Sequence, residues 1–250
     1  MSQQVFDTPT NPFELPSKGM FYPVDNPLAT GVIELHSPSA VHEDILTNKN
    51  YITQGIVIDK FLQAIIATKI NYDDLLIGDK NAVLIASRIL AYGNEYSFSY
   101  TQGGETETVT VDLSKLADKE IDFSKATKGV NEFTYVLPLS KAQITYKLLT
   151  HKDENAIDAE IKGLLRVNKN ISADSTTRLN YCIIAVNGNR DQKTIRDFVK
   201  VMPMRDSMSL KKEMTANMPD INMTFDFMRK NGEVVEGLTI PMTVDFFWPQ

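Results

Sequence analysis

The sequence has very little cysteine and histidine, with one cysteine and three histidines among 250 residues. Cys182 cannot form a disulfide within the chain, so we expect the chain to fold in a reducing cytosol. His36, His42 and His151 lie far apart in the sequence, and no two of them have metal-ligand spacing. The sequence therefore predicts no metal site and no cofactor.

Long apolar runs and basic clusters are also missing. No stretch of about 18 apolar residues occurs, and the first residues lack the basic and apolar regions of a secretory signal. The formal net charge is −6, whereas nucleic-acid binding usually needs a basic stripe. We interpret the short pairs Lys211-Lys212 and Arg229-Lys230 as solvated surface residues. We therefore expect neither a membrane nor a nucleic acid as partner.

Common catalytic motifs are absent: the chain has no phosphate-binding glycine loop, nucleophile elbow or HExxH zinc motif. His151–Glu154 could act in acid/base catalysis, but we favour the first turn of a helix. Cys182 falls on an apolar stripe at helical spacing, which favours a small buried hydrophobe over a nucleophile. Asp73, Asp74 and Asp79 lack the spacing of a calcium loop and indicate a turn followed by a helix cap at Asp79. The sequence predicts no enzyme and no small-molecule substrate.

The spacing of apolar residues changes several times between a period of 3.6 residues and a period of 2 residues. Helices and strands do not follow a βαβ order, so we predict an α+β fold of helical segments and antiparallel β-hairpins. Gly103-Gly104 and Asn231-Gly232 mark two hairpin turns. The predicted helices lie near 39–47, 55–68, 79–92, 151–166, 174–187, 191–199 and 205–218, and the predicted strands near 31–36, 96–101, 106–113, 132–137, 143–149, 221–227 and 234–243.

Three segments follow from this order. Residues 1–30 form an extended, proline-rich arm with five prolines and several large apolar side chains, which suits a segment that docks on its own body or on a partner. Residues 31–150 hold helices followed by β-hairpins. Residues 151–250 hold a helical block, a last hairpin and an aromatic tail. We expect two lobes divided near residue 150.

The arm and the tail hold the candidate partner-binding residues. Three consecutive aromatic residues end the chain, and on a strand they could not all face inward because successive side chains alternate faces. Methionines cluster after residue 200; they could form an adaptable binding surface, although core filling is the favoured interpretation. The candidate contact residues are Phe13, Leu15, Met20, Phe21, Tyr22, Phe246, Phe247 and Trp248.

Several short motifs, in their order along the chain, resemble the baseplate hub proteins of T-even-like contractile-tailed bacteriophages. They span most of the chain and comprise Leu15–Pro23, Glu43–Thr47, Asp59–Leu62, Leu76–Ala82, Arg88–Gly93, Leu148–Glu154 and Phe246–Pro249. The resemblance implies a late phage protein that acts in assembly of the tail baseplate hub through contacts with other hub or tail proteins. It implies a location in the host cytoplasm during assembly and in the virion tail if the protein stays there.

This chain also differs from the family that it resembles. Relatives of this family often carry cysteine pairs in both hairpins that look like zinc knuckles, whereas the turns at Gly103-Gly104 and Asn231-Gly232 have no cysteine here. We expect turn geometry to hold these hairpins. Two alternatives to a hub subunit stay open: a transient assembly chaperone absent from the mature virion, and a cell-wall hydrolase of the tail that uses two distant carboxylates.

Overall fold

The N-terminal arm contains a β-strand, although its prolines argued against one. The computed structural model describes residues 9–167, 174–242 and 244–247. Strand β1, Thr10–Glu14, pairs antiparallel with β2, Val32–His36, with Pro12 opposite Glu34. Within a two-stranded sheet β1 has a free edge, and an edge strand tolerates a residue without an amide hydrogen. The strand at residues 10–14 was not predicted, whereas the predicted strand at 31–36 is confirmed.

Four helices follow: α1, Ala40–Leu46; α2, Lys49–Gln54; α3, Val57–Ile65; and α4, Ile77–Tyr92. Ser39 precedes α1 as predicted, and its amide donates to His42 Nδ1 at 3.1 Å. The helix predicted over 55–68 is confirmed as α3, whereas α2 was not predicted; Asn48 caps α2 and Gly55 ends it in a left-handed conformation. The helix predicted to begin at Asp79 begins at Ile77.

The first and last hairpins agree with their prediction. They consist of β3, Glu95–Gln102, with β4, Glu105–Asp112, and of β8, Thr224–Met228, with β9, Val234–Thr239. Gly103 and Gly104 both have positive φ, as the tight two-residue turn between β3 and β4 requires.

A three-stranded sheet has one strand that we predicted as helix. β5, Phe133–Val136, and β6, Gln143–Tyr146, pair as predicted, and β7, Ile183–Val186, adds to β6 antiparallel. Helix α6, Asp174–Cys182, ends where β7 begins, so the helix predicted to 187 is wrong after Cys182. Pairing with β6 outweighs the local helical spacing, and this short apolar run contains β-branched residues that suit a strand.

The remaining helices are α5, His151–Val167; α7, Gln192–Val201; and α8, Met204–Asn217. Their positions confirm the predicted helical block, with Asp191 capping α7 through the Thr194 amide. Asp206, in the first turn of α8, is fully buried and accepts hydrogen bonds from the amides of Leu139 and Ser140 at 2.7 and 2.8 Å. This carboxylate ties α8 to the β5–β6 loop.

Two hydrophobic clusters hold these elements together, and together with the short antiparallel sheets they confirm the α+β class. The first core combines the arm, α3, α4 and the first hairpin with Ile221, Ile240, Phe246 and Phe247 from the C-terminal part. The second core combines β5–β7 with side chains of α6, α7 and α8, among them Leu210. The chain therefore contributes to the first core, builds the second and returns to the first. The two lobes divided near residue 150 stay a prediction.

Candidate protein–protein interface

The arm side chains predicted to contact a partner are largely inside the molecule. Leu15, Phe21 and Tyr22 are at most 3% exposed and belong to the first core. Phe13 and Met20 are half-buried against the same core. The arm thus docks on its own body, because burial of these large apolar side chains stabilises the fold. A partner could reach Leu15, Phe21 or Tyr22 only if this core opened, which corrects our interpretation of them as surface contacts.

A buried carboxylate locks the arm onto α4. The Ser17 amide donates to Asp79 Oδ1 at 2.9 Å, and the Tyr22 hydroxyl donates to Asp79 Oδ2 at 2.5 Å. Burial raises the pKa of Asp79 to about 6, although the hydrogen bonds from Ser17 and Tyr22 oppose this shift. Asp79 is therefore a fully buried anchor within α4, and its predicted role as the helix cap is wrong, since Leu76 holds that position.

The aromatic tail also packs on its own chain. Phe246 and Phe247 are each 1% exposed, with the Phe247 ring 5.0 Å from Phe61 and the Phe246 ring 4.8 Å from Tyr96, centroid to centroid. Both can face inward because residues 244–247 form a 3-10 helix. The alternation of faces predicted for a strand does not apply. The predicted contact residue Trp248 lies outside the described residues.

The histidine with acidic neighbours has a structural setting. His151 is buried at the start of α5, its ring 4.6 Å from the Tyr72 ring, and burial together with the positive charge of Lys80 lowers its pKa. Asp153 accepts from the Thr150 amide at 3.0 Å and its own amide donates to Thr150 Oγ1, which is a reciprocal helix cap. This supports the interpretation of His151–Glu154 as the first turn of a helix.

The thiol is buried as well. Cys182 is 1% exposed, and burial raises the pKa of its thiol to about 12. A thiol with such a pKa is a poor nucleophile near neutral pH. Among the described residues, no three His, Cys, Asp or Glu side chains group closely enough to hold a metal ion.

Arg229, which we interpreted as a solvated surface residue, is buried. Its side chain is 6% exposed and forms ion pairs with Glu105, Glu107 and Glu233 at 2.9–3.1 Å. These contacts join the turn of the last hairpin to β4 of the first hairpin. A hydrogen bond from the Lys230 amide and the Arg229 guanidinium hold the pKa of Glu107 below its usual range. We expected turn geometry alone to hold each hairpin. The ion cluster around Arg229 in addition joins the two hairpins to each other.

An exposed apolar surface lies elsewhere, at the junction of α7 and α8. Val201, Met204 and Met208 are 77%, 79% and 65% exposed. Met214, further along α8, and Met218, directly after its end, are half-buried and contact the second and first core, respectively. We call these four methionines and Val201 the methionine surface. It includes none of our eight candidate residues, although the spacing of 204, 208 and 218 on one helix face was visible in the sequence.

One of the comparisons with known proteins identifies a family. A family model described as T4 bacteriophage base plate protein matches residues 40–248, from α1 to the aromatic tail. No curated protein and no solved structure matches the chain significantly. Within the described part of the chain, none of the helices has the length and apolar character that crossing a membrane requires. The matched range is well over half of the sequence, so the chain belongs to the family of T4 bacteriophage base plate proteins.

Proposed function

We propose that the chain is a non-catalytic subunit of the baseplate hub and acts in tail baseplate assembly through contacts with other hub or tail proteins. The methionine surface carries this proposal, because three large apolar side chains within eight residues point into solvent. Monomeric proteins rarely expose contiguous apolar patches larger than a few hundred Å², and patches of that size commonly mark contact sites. Family membership supports a baseplate role and contacts with other baseplate proteins.

The setting of the polar groups supports a role without catalysis. A tail hydrolase would need two carboxylates across a cleft, one of them free to act as an acid. Glu154 and Asp174 do line one cavity, but Arg178 lies between them, with N–O distances of 2.7 and 3.1 Å. A carboxylate that is ion-paired to arginine is poorly suited to donate a proton. This arrangement argues against the hydrolase alternative at this cavity.

Mass spectrometry of purified virions tests the proposal. The chain is expected in tails and isolated baseplates at a constant ratio to other baseplate proteins, which are measured in the same spectra as the control. Its presence in infected cells in complex with baseplate proteins, combined with its absence from virions, would favour the transient chaperone. Its absence from baseplates and from all assembly complexes would contradict the proposal.

A further inference from the structure

The methionine surface forms one wall of a groove between α6 and α8. One depression of about 370 Å³ is lined by Met202, Met204 and Met208, and a second of about 480 Å³ by Met214 and Met218. Both depressions share Ser175, Leu179 and Lys211. The Lys211 ammonium donates to the Ser175 hydroxyl between them, so a ligand that follows α8 through both depressions must displace this hydrogen bond.

The length and lining of this groove suit a helix. From Met204 to Met218 the wall rises about 21 Å, or roughly four helical turns, at about 1.5 Å per residue. An amphipathic helix of about 14 residues would cover it, with apolar side chains at helical spacing entering the two depressions. Methionine side chains adapt to such ligands because they are unbranched and polarisable.

The basic residues near the groove favour a helix that carries acidic side chains. Residues 192–218 contain six basic and three acidic residues, although the whole chain has a net charge of −6. Lys200 and Lys211 line the first depression, and Arg205 and Lys212 are exposed on α8. Within the described part of the chain, Lys200 alone of the six bases forms an ion pair, with Asp197 at 3.0 Å.

The acidic residues near the groove do not cancel this excess. Asp206 is buried beneath α8, where it accepts hydrogen bonds from Leu139 and Ser140. On the opposite wall, Arg178 pairs with Glu154 and Asp174. Arg178 carries one positive charge against two carboxylates, so only the α8 side of the groove presents positive charge to a ligand that fills the apolar floor.

We propose that this groove binds an amphipathic helix of another baseplate protein, one whose apolar stripe is flanked by Asp and Glu on the side that faces α8. The identification of the partner as a baseplate protein rests on the proposed function, whereas the chemistry of the ligand rests on the groove alone. An anionic lipid surface would match the charge, but a flat surface would not fill a concave groove between two helices.

A peptide-binding experiment with the full chain tests this inference. The probe is a fluorescein-labelled 16-residue peptide with leucine and methionine at helical spacing and glutamate along one flank of that apolar stripe. We expect saturable binding that weakens as salt rises, with a scrambled peptide of the same composition binding at least tenfold more weakly. Met204→Glu/Met208→Glu should weaken binding of the probe at least tenfold. Because both side chains are exposed, this variant is expected to fold, which circular dichroism checks.

The control is Met228→Glu, an exposed methionine on the last hairpin that lies outside both depressions, and it should bind as the unmodified chain does. Equal binding of the scrambled peptide, an unaffected double variant or no binding of the probe would overturn the inference. So would binding of the chain to phosphatidylglycerol vesicles through Met204 and Met208 in place of the peptide. A chain found in baseplates that does not bind the probe would refute the groove inference and leave the proposed function standing. Variant-sensitive binding by a chain absent from every baseplate complex would refute the proposed function alone.

Discussion

Arg229 Nε donates to Glu107 Oε1 at 2.9 Å, and this bond between residues 122 positions apart in the sequence connects two hairpins. The same guanidinium reaches Glu105 and Glu233, and the Lys230 amide donates to Glu107 Oε2 at 3.0 Å. Aromatic contacts continue the junction along the strands, with Phe98 near Phe225. Each hairpin has only two strands, and such hairpins are marginal alone, so this junction makes them one unit.

Replacing Arg229 should separate the hairpins. Arg229→Met keeps most of the side-chain volume but leaves Glu107 buried without its positive partner, and an unpaired buried charge is strongly unfavourable. We expect amide exchange in residues 95–112 and 224–239 to accelerate about tenfold or more, because the two hairpins open more often. Hydrogen exchange monitored by mass spectrometry measures this. Arg190→Met, which removes an exposed ion pair with Glu132, is the matched control and should leave exchange in both hairpins unchanged. Unchanged exchange in Arg229→Met would show that the ion cluster does not join them.

The Asp79 anchor should make stability depend on pH in a defined direction. Its pKa is raised from 3.8 to about 6 in the folded chain, so the folded state binds this proton more tightly than the unfolded state. The contribution to stability is therefore full below pH 4 and is lost as the pH rises through 6. The loss amounts to about 3 kcal/mol at about 1.4 kcal/mol per pKa unit.

Urea unfolding of the unmodified chain and of Asp79→Asn between pH 3.5 and 7.5 measures this contribution. The variant cannot ionise at this position, so the difference in unfolding free energy should change across pH 4–6 in favour of the variant. A difference that stays constant over this range would contradict the raised pKa.

Two glycines in helices should respond to alanine in opposite ways. A Cβ at Gly78, in the first turn of α4, would collide with the carbonyl oxygen of Pro219, a backbone atom that cannot move freely. Gly78→Ala should therefore destabilise the chain by about 2 kcal/mol or more. A Cβ at Gly163, in α5, meets nothing within 4 Å, so Gly163→Ala should stabilise by about 0.5–1 kcal/mol. Thermal unfolding compares the two, and a tolerated Gly78→Ala would refute the close approach of Pro219.

Truncating the aromatic tail should unfold the first core. Phe247 is 1% exposed and lies against Phe61, so Phe247→Ala should cost about 3–5 kcal/mol through lost burial and the cavity left behind. Deletion of residues 241–250 should be at least as damaging, and any lost complex formation in that variant would follow from unfolding. The double variant of Met204 and Met208 is the contrasting case, because it should impair binding while the melting temperature stays the same. A Phe247→Ala chain with unchanged stability would contradict the described packing.

The sequence by itself determined most helices, the two glycine-containing hairpin turns and the α+β class. These features depend on local physics: the spacing of apolar residues, side chains that cap helices, and glycines that adopt positive φ. The absence of common catalytic motifs and the resemblance to the family are also visible in the sequence. The family resemblance agrees with the match over residues 40–248.

Only the tertiary structure decided which side chains are exposed. Leu15 and Phe247 looked like contacts in a proline-rich arm and an aromatic tail, but the fold provides a core for both. Ile183–Val186 has helical spacing and forms a strand because β6 offers a pairing edge. Arg229 looked solvated, yet it pairs with Glu105 and Glu107, which are distant in the sequence, and with the nearby Glu233. In each case the outcome depends on groups brought close by folding, whose distances a local sequence pattern does not contain.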